Sequence, residues 1–593
     1  MSSAVAAAGV FTLAVLAPFE ATSPLARLPW QSVSNLEAAL LAAIACWGAA
    51  LAWTRRLPPS GTPLLLPWAA LAAALAIASA AAPIERANAW HMTGRVAAAA
   101  TVYLLAYDGI TTGRRLRIAL ALCVASGIAV ALLGTLEYFE VDVVLRGLRV
   151  FRPAVSTVGD QIRAGGPLQY PTIASMYLEV TFAIGLGLLL RAIDAADGTH
   201  RAVAACWFVG LMAIGEGIAV TFTRAGLVTM AASVIIVGFS TIRRVGVERG
   251  RAALATLAAL TAAIAILLVA SRSVQSLWLR ATTEGQDAWY RADVTAPETL
   301  TFSADRSQYV SISVANTGRV VWDSDGEQPF YLSYHWLDAT GDRVVAYEGG
   351  RTRFGVPVRP GNRVQLYALV RAPRVAGDYR LEWDVVQEDR LWFSTEQGAP
   401  EATTSRVTVT GASGGDPLPT TARPQRSVRP GRLALWRAAA RMFRAHPVLG
   451  VGPDNFRLLY GDYLQLRGAD RRTHSNNMYL EILVGGGLVA GAALLWLLLS
   501  AVSLFVRSQA PEIDDVGNSV PGSLQVDLLA GWSQAPYKSP VGSGLAAAGA
   551  AIALHATVDS FLSFAPTYIL FALTLGCAAA VSRGVETAGA HRV

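Results

Sequence analysis

Three short runs in this chain place reactive side chains beside long apolar stretches. The first is Arg471-Arg472-Thr473-His474-Ser475-Asn476-Asn477-Met478-Tyr479-Leu480-Glu481, which leads into a glycine-broken apolar segment, Gly485 to Leu499. An unperturbed imidazole titrates at about 6.5, so His474 is the natural group to accept a proton at neutral pH. Arg471, Arg472, Asn476, Asn477 and Glu481 surround it as candidates for holding a substrate. The second run is Val220-Thr221-Phe222-Thr223-Arg224-Ala225-Gly226, where one arginine interrupts a long apolar stretch. Its fixed fork of donors suits a diphosphate and stays charged at any relevant pH. The plainer reading is an interfacial arginine reaching for headgroups. The third is Arg163-Ala164-Gly165-Gly166-Pro167-Leu168-Gln169-Tyr170-Pro171-Thr172, with Arg163 as a further substrate contact or a member of an ordinary loop.

These residues must be positioned by elements that live in lipid. Of 593 residues 53% are hydrophobic and only 15% charged, against about 25% charged in a soluble domain. Apolar runs of roughly 18 residues or more recur, each about enough to cross ~30 Å of hydrocarbon. The expected spans are 4–19, 34–54, 63–83, 95–107, 117–136, 173–191, 202–222, 225–240, 253–270, 478–506, 544–560 and 565–582, the fourth of them short. The expected fold class is therefore mostly α, a polytopic membrane protein of about 12 spans. The first run lacks a basic flank and a cleavage site, and reads as a spanning helix. Cys46, Cys123, Cys206 and Cys577 all lie in apolar runs, so neither disulfides nor a CxxC metal pattern is expected.

Charge orients the spans. The formal charge of +7 is almost all arginine, Lys538 being the only lysine. Arg55-Arg56, Arg114-Arg115 with Arg117, and Arg243-Arg244 with Arg249 and Arg251 sit in short loops that can share one side, the cytoplasmic one. Membrane orientation explains this charge better than nucleic acid does. Segments 20–33, 84–94, 137–172 and 271–477, with the turn at Arg224, then fall on the other face. Glu179, Glu216, Glu481 and Asp559 all lie close to that face, which implies a polar cavity there.

The long 271–477 segment divides further. After the N-terminal bundle, 1–270, and a connector, 271–295, strand-like runs such as Tyr309-Val310-Ser311-Ile312-Ser313-Val314 alternate with turn signals over 296–411. This predicts an inserted β-sandwich. A linker at 412–431 and a loop at 432–477 follow, the loop with an amphipathic stretch, Leu433 to Arg444, that suits a membrane surface. C-terminal helices fill 478–593. Asp323-Ser324-Asp325-Gly326 reads as a hairpin turn, and no metal or cofactor is expected.

His446-Pro447-Val448-Leu449-Gly450-Val451-Gly452-Pro453-Asp454-Asn455-Phe456, taken with the His474 run, resembles the C-terminal signature of the O-antigen ligase and polymerase family. That family consists of membrane glycosyltransferases that move glycans off a polyprenyl diphosphate carrier. Its pattern is His, then Asn, Ser or Gln, then Gly some nine residues on, met by His474-Ser475 and Gly485. Aligning Asn-x-Tyr-Leu-Glu instead puts Asn476-Asn477 at the family's His-Asn and Gly487 at its close. The Arg224 turn, the Arg163 loop (with Thr172 where Asn is usual) and His555-Ala556-Thr557-Val558-Asp559-Ser560 are similar to further family elements. Val314-Ala315-Asn316-Thr317-Gly318, Pro360-Gly361 and Trp383-Asp384-Val385-Val386 look like an immunoglobulin-like module.

The resemblance implies a GT-C-like helical fold in the bacterial inner membrane, with the large loop periplasmic. It implies an undecaprenyl diphosphate-linked glycan donor and a lipid, polysaccharide or protein acceptor. His474 and Arg224 become the catalytic candidates in a metal-independent, inverting transfer. Arg163, Arg471, Arg472, Asn476, Asn477 and Glu481 become the substrate-binding ones. The competing reading is non-enzymatic, a polysaccharide exporter or assembly scaffold.

Overall fold

The computed structural model describes residues 1–27, 32–152, 156–158, 161–195, 198–271, 289–325, 329–388, 391–395, 402–411, 420–422, 430–466, 469–508 and 539–583. The chain is mostly helical. Before the β-rich region come α1 (Ser2–Leu16), α2 (Asn35–Trp53), α3 (Leu65–Ala81), α4 (Arg86–Gly109), α5 (Gly113–Tyr138) and the short α6 (Asp142–Leu148). They are followed by α7 (Pro171–Asp194), α8 (Gly198–Val220), α9 (Arg224–Arg249) and α10 (Arg251–Ala270). After the β-rich region come α11 (Arg432–Ala445), α12 (Phe456–Tyr463), α13 (Met478–Arg507), α14 (Pro540–His555) and α15 (Ala565–Ser582).

Every apolar stretch expected from the sequence overlies one of these helices. Among the described residues, length and hydropathy qualify eight helices to cross a membrane: α2, α5, α7, α8, α9, α10, α13 and α15. This is a multi-pass membrane protein. α1, α3 and α14 are apolar but shorter. α4 is long but carries Arg86, Arg95 and Asp108. α14 ends at His555, short of 560, because the N–H groups of Val558 and Asp559 both turn back onto the His555 carbonyl. Asp559 therefore sits in the turn before α15 and not on a helix.

α7 is the axis of the bundle. It starts with Pro171 at its first position, where the missing N–H is harmless, and is buried along nearly its whole length. An all-round apolar helix belongs at the centre. It packs on α5, α8, α9, α14 and α15. At its closest approach to α14, a Cβ on Gly544 would stand 2.9 Å from the Ala183 carbonyl oxygen and the Gly187 Cα. Small residues let two backbones meet where lipid offers no hydrophobic drive.

The β-rich region is two sheets around one core. Its principal strands are β1 (Ala292–Thr295), β2 (Thr299–Ser303), β3 (Ser307–Asn316), β4 (Phe330–Asp338), β5 (Arg343–Ala346), β6 (Arg363–Arg371), β7 (Gly377–Gln387), β8 (Thr404–Thr410) and β9 (Thr421–Ala422). One sheet runs β9-β5-β4-β7-β8-β2 and the other β6-β3-β1. Alternate residues of β6 and β8 point inward, the period-2 signature of a half-buried strand. Ile312 and Val314 of one sheet share a core with Leu332, Leu381 and Trp383 of the other. That core also takes Trp289 and Tyr290, ahead of residue 296, and β9 extends the sheet past 411. Most of the expected linker, 412–431, lies outside the described residues.

Candidate functional site

The site is built on a broken helix. α13 opens at Gly487, whose φ of 64° and ψ of −161° are non-helical and suit only glycine. A break in a membrane helix frees backbone groups that hydrocarbon cannot satisfy. Here the 446–455 segment satisfies them. Val451 and Gly452 donate N–H groups to the Val484 and Gly485 carbonyls, each at 2.9 Å, and Leu488 N–H donates to the Pro447 carbonyl at 2.8 Å. A Cβ at Gly487 would overlap the Val448 carbonyl. The two runs singled out in the sequence are thus one clasp. α11 braces it, burying Leu435, Ala438, Ala439 and Met442 against Val451, Phe456, Tyr460 and Val484. Its apolar face is engaged within the protein, in contrast to the membrane-surface role its amphipathicity suggests. Trp436 Nε1 of the same helix donates to the Ser475 carbonyl at 3.1 Å.

The clasp delivers a carboxylate to the histidine. His474 Nδ1 lies 3.6 Å from Asp454 Oδ1 and 3.7 Å from Glu481 Oε1, and the side chain is 25% exposed. Nδ1 itself is buried and without a hydrogen-bond partner. Two carboxylates on that side favour the tautomer protonated at Nδ1, which leaves Nε2 as the acceptor. Both carboxylates are held. Asp454, in the left-handed region at φ 61°, accepts from Arg457 Nε at 2.9 Å. Arg457 also donates to Asn88 Oδ1 of α4, and to the Arg471 carbonyl at 3.1 Å. Asn88 in turn donates to Asn455 Oδ1 at 3.0 Å. Glu481 Oε1 accepts the Ser475 N–H at 2.6 Å.

The remaining candidates on this run divide by role. Asn477 is the N-cap of α13, its Oδ1 accepting the Leu480 N–H at 3.0 Å while Nδ2 donates to the Thr557 carbonyl at 3.0 Å. Both ends of that amide seat the helix. Asn476 takes the left-handed turn before it, at φ 52°. Arg471 and Arg472 are exposed on the preceding turn, with the Arg472 N–H tied to Asp470 Oδ1 at 3.0 Å.

Arg224 and Arg163 meet at a second point. Arg224 is exposed and opens α9 after a turn in which Phe222 has φ 51°. Arg163 Nε donates to the Thr221 carbonyl in that turn at 3.1 Å, and Ala164 N–H to the Val220 carbonyl at 2.9 Å. Glu137 locks the same loop from α5. It accepts the Gly165 and Gly166 N–H groups at 3.1 and 2.8 Å and pairs with buried Arg152.

One stretch of chain joins the two points. His555 Nδ1 bonds both oxygens of Glu179 on α7, at 3.0 and 2.9 Å, and Thr229 Oγ1 of α9 donates to Glu179 Oε2 at 2.5 Å. His555 and Glu179 are fully buried. The next residues supply the Ala556 carbonyl to the Met478 N–H at 2.9 Å and the Thr557 carbonyl to Asn477. The Arg224 side is therefore fixed to the start of α13. Among the described residues no three His, Cys, Asp or Glu side chains are arranged to hold a metal ion.

Residues 399–495 match the family model described as O-antigen ligase. The matched stretch contains the clasp, Asp454, His474 and Glu481. A search of curated proteins finds no match.

Proposed function

We propose that this chain, whose residues 399–495 match the O-antigen ligase family, acts as a whole as a membrane glycosyltransferase that moves a carrier-linked glycan onto an acceptor hydroxyl. The observation that carries this reading is His474 flanked by the Asp454 and Glu481 carboxylates, 3.6 and 3.7 Å from Nδ1, at the head of a broken membrane helix. Nε2 takes the acceptor's hydroxyl proton as that oxygen bonds to the anomeric carbon. The bond from that carbon to the carrier diphosphate breaks, its electron pair leaves on the diphosphate, and the anomeric centre inverts. The two carboxylates favour the imidazolium that forms.

The leaving group is a stable anion and calls for positive charge more than for a proton. Arg224 suits this role because it stands at the N-terminus of α9, where the helix dipole adds partial positive charge. Arg163 at the same turn and Arg471 and Arg472 are its helpers. The donor in this reading is an undecaprenyl diphosphate glycan. Twelve helices span the bacterial inner membrane, with the arginine-rich short loops cytoplasmic. The site and the β-rich region, taken as an immunoglobulin-like module, face the periplasm.

The test uses purified full-length chain with a synthetic undecaprenyl diphosphate oligosaccharide and separate lipid, polysaccharide and protein acceptors. Carrier diphosphate released together with a glycan-extended acceptor, identified by mass, supports transfer. Donor that binds but is never consumed, whichever acceptor is present, sinks it in favour of an exporter or scaffold.

A further inference from the structure

A second polar cavity, apart from His474, lies among the α1–α2 connection, α4, the 167–169 loop and the start of α15. Glu20, Glu37, Arg95, Gln169 and Tyr568 line it, and its volume is about 120 Å³, room for roughly four waters at ~30 Å³ each. Past Glu20, Glu37 and Gln169 it opens into a cleft of about 460 Å³. Arg95 of α4 is half-buried, and its charge acts on both Glu20 and Tyr568. Ser34 takes one oxygen of each carboxylate, donating Oγ to Glu20 Oε1 at 2.8 Å and N–H to Glu37 Oε2 at 3.0 Å. Each glutamate keeps a second oxygen for an occupant.

The chemistry of the walls selects the occupant. Acceptors (the Glu20 and Glu37 carboxylates) and donors (the Arg95 guanidinium, the Tyr568 phenol and the Gln169 amide) line the same cavity. A sugar hydroxyl both donates and accepts, so it can bridge such walls. Two carboxylates against one arginine disfavour a phosphate. Burial pushes the Glu20 carboxyl above the usual carboxylate range, opposed by the Ser34 bond, with Glu37 adding to the rise and Arg95 countering it. That further lowers the attraction for a free cation. The place also fits. Gln169 continues the loop that bears Arg163, and Ser563 and Phe564 lie on the same connection between α14 and α15 as Ala556 and Thr557, which seat α13.

We propose that this cavity, with the cleft it opens into, is a glycan subsite, holding by its hydroxyls a neutral sugar unit of the chain being transferred. The assignment rests on the glycosyltransferase reading, but binding tests it without turnover. The experiment titrates a carrier-free neutral tetrasaccharide into purified full-length chain, alongside sugar-free undecaprenyl diphosphate. Wild type and His474→Ala should bind the tetrasaccharide alike. Arg95→Gln and Glu20→Gln should each weaken it at least about tenfold, the loss of a hydrogen bond to a charged group. Gln169→Ala, at an exposed loop position, should weaken it in a chain that folds normally. Carrier binding should be unchanged in all three. Equal tetrasaccharide affinity in wild type and these variants overturns the proposal, as does absence of wild-type binding while carrier-linked glycan is still turned over. Binding that depends on Arg95 in a chain that transfers nothing would keep the subsite and remove the catalytic reading.

Discussion

At the scale of single residues, His474 depends on partners from two directions. Asp454 arrives with the clasp and Glu481 from one turn into α13. Asp454→Asn or Glu481→Gln should lower kcat on the order of 10²-fold or more while donor affinity is kept, since an amide no longer favours the Nδ1–H tautomer. Turnover measured beside donor titration checks this; equal loss of affinity and rate would make both groups donor contacts. Arg224→Lys should be nearly as harmful as Arg224→Ala, because a point charge lacks the bidentate fork. A lysine variant with wild-type turnover would refute that role. His474, Glu481 and Arg224 could be proposed from the sequence because each is a polar group at an apolar boundary. Asp454 stood within a run notable for its glycines, and its pairing runs through space across a helix break that periodicity does not reveal. Asn477 read as a substrate contact, although its place just ahead of Met478-Tyr479-Leu480-Glu481 satisfies the N-cap rule.

At the scale of elements, the opened α13 and the turn after His555 hold the candidate site. Gly487→Ala must hold φ at +64°, a strain of ~1–3 kcal/mol, and place a methyl on the Val448 carbonyl. It should lower the unfolding temperature and abolish transfer. Gly94→Ala, whose Cβ meets nothing within 4 Å, should do neither. His555→Ala strands the Glu179 carboxylate in the core and should destabilise the bundle by ~3–5 kcal/mol. The double variant His555→Leu, Glu179→Leu should recover much of that stability in chemical denaturation. If the double variant is as unstable as the single, the pair is not an isolated bridge. The helices themselves were readable from apolar runs, and the glycines at 485–487 flagged a break. What the break binds was not readable, because its partners lie some forty residues upstream.

At the scale of the whole molecule, two cores are separate. The helical core contains no residue of the β-rich one, so a fragment of residues 289–422 should fold alone and show dispersed amide resonances. Collapse of that fragment would mean the bundle completes it. Composition announced the membrane part and alternating runs the β-rich one, yet an edge at 296 would have cut off Trp289 and Tyr290, which sit just before the first strand, Ala292–Thr295, but inside its core. The proposed transfer rests on one imidazole, so His474 is the place to test it. The measurement is single-turnover transfer from a synthetic undecaprenyl diphosphate oligosaccharide by wild type and His474→Ala, with donor binding measured on the same preparations. The account predicts unchanged binding and a rate lowered by ~10²–10⁴. Transfer at the wild-type rate with His474 replaced would contradict it.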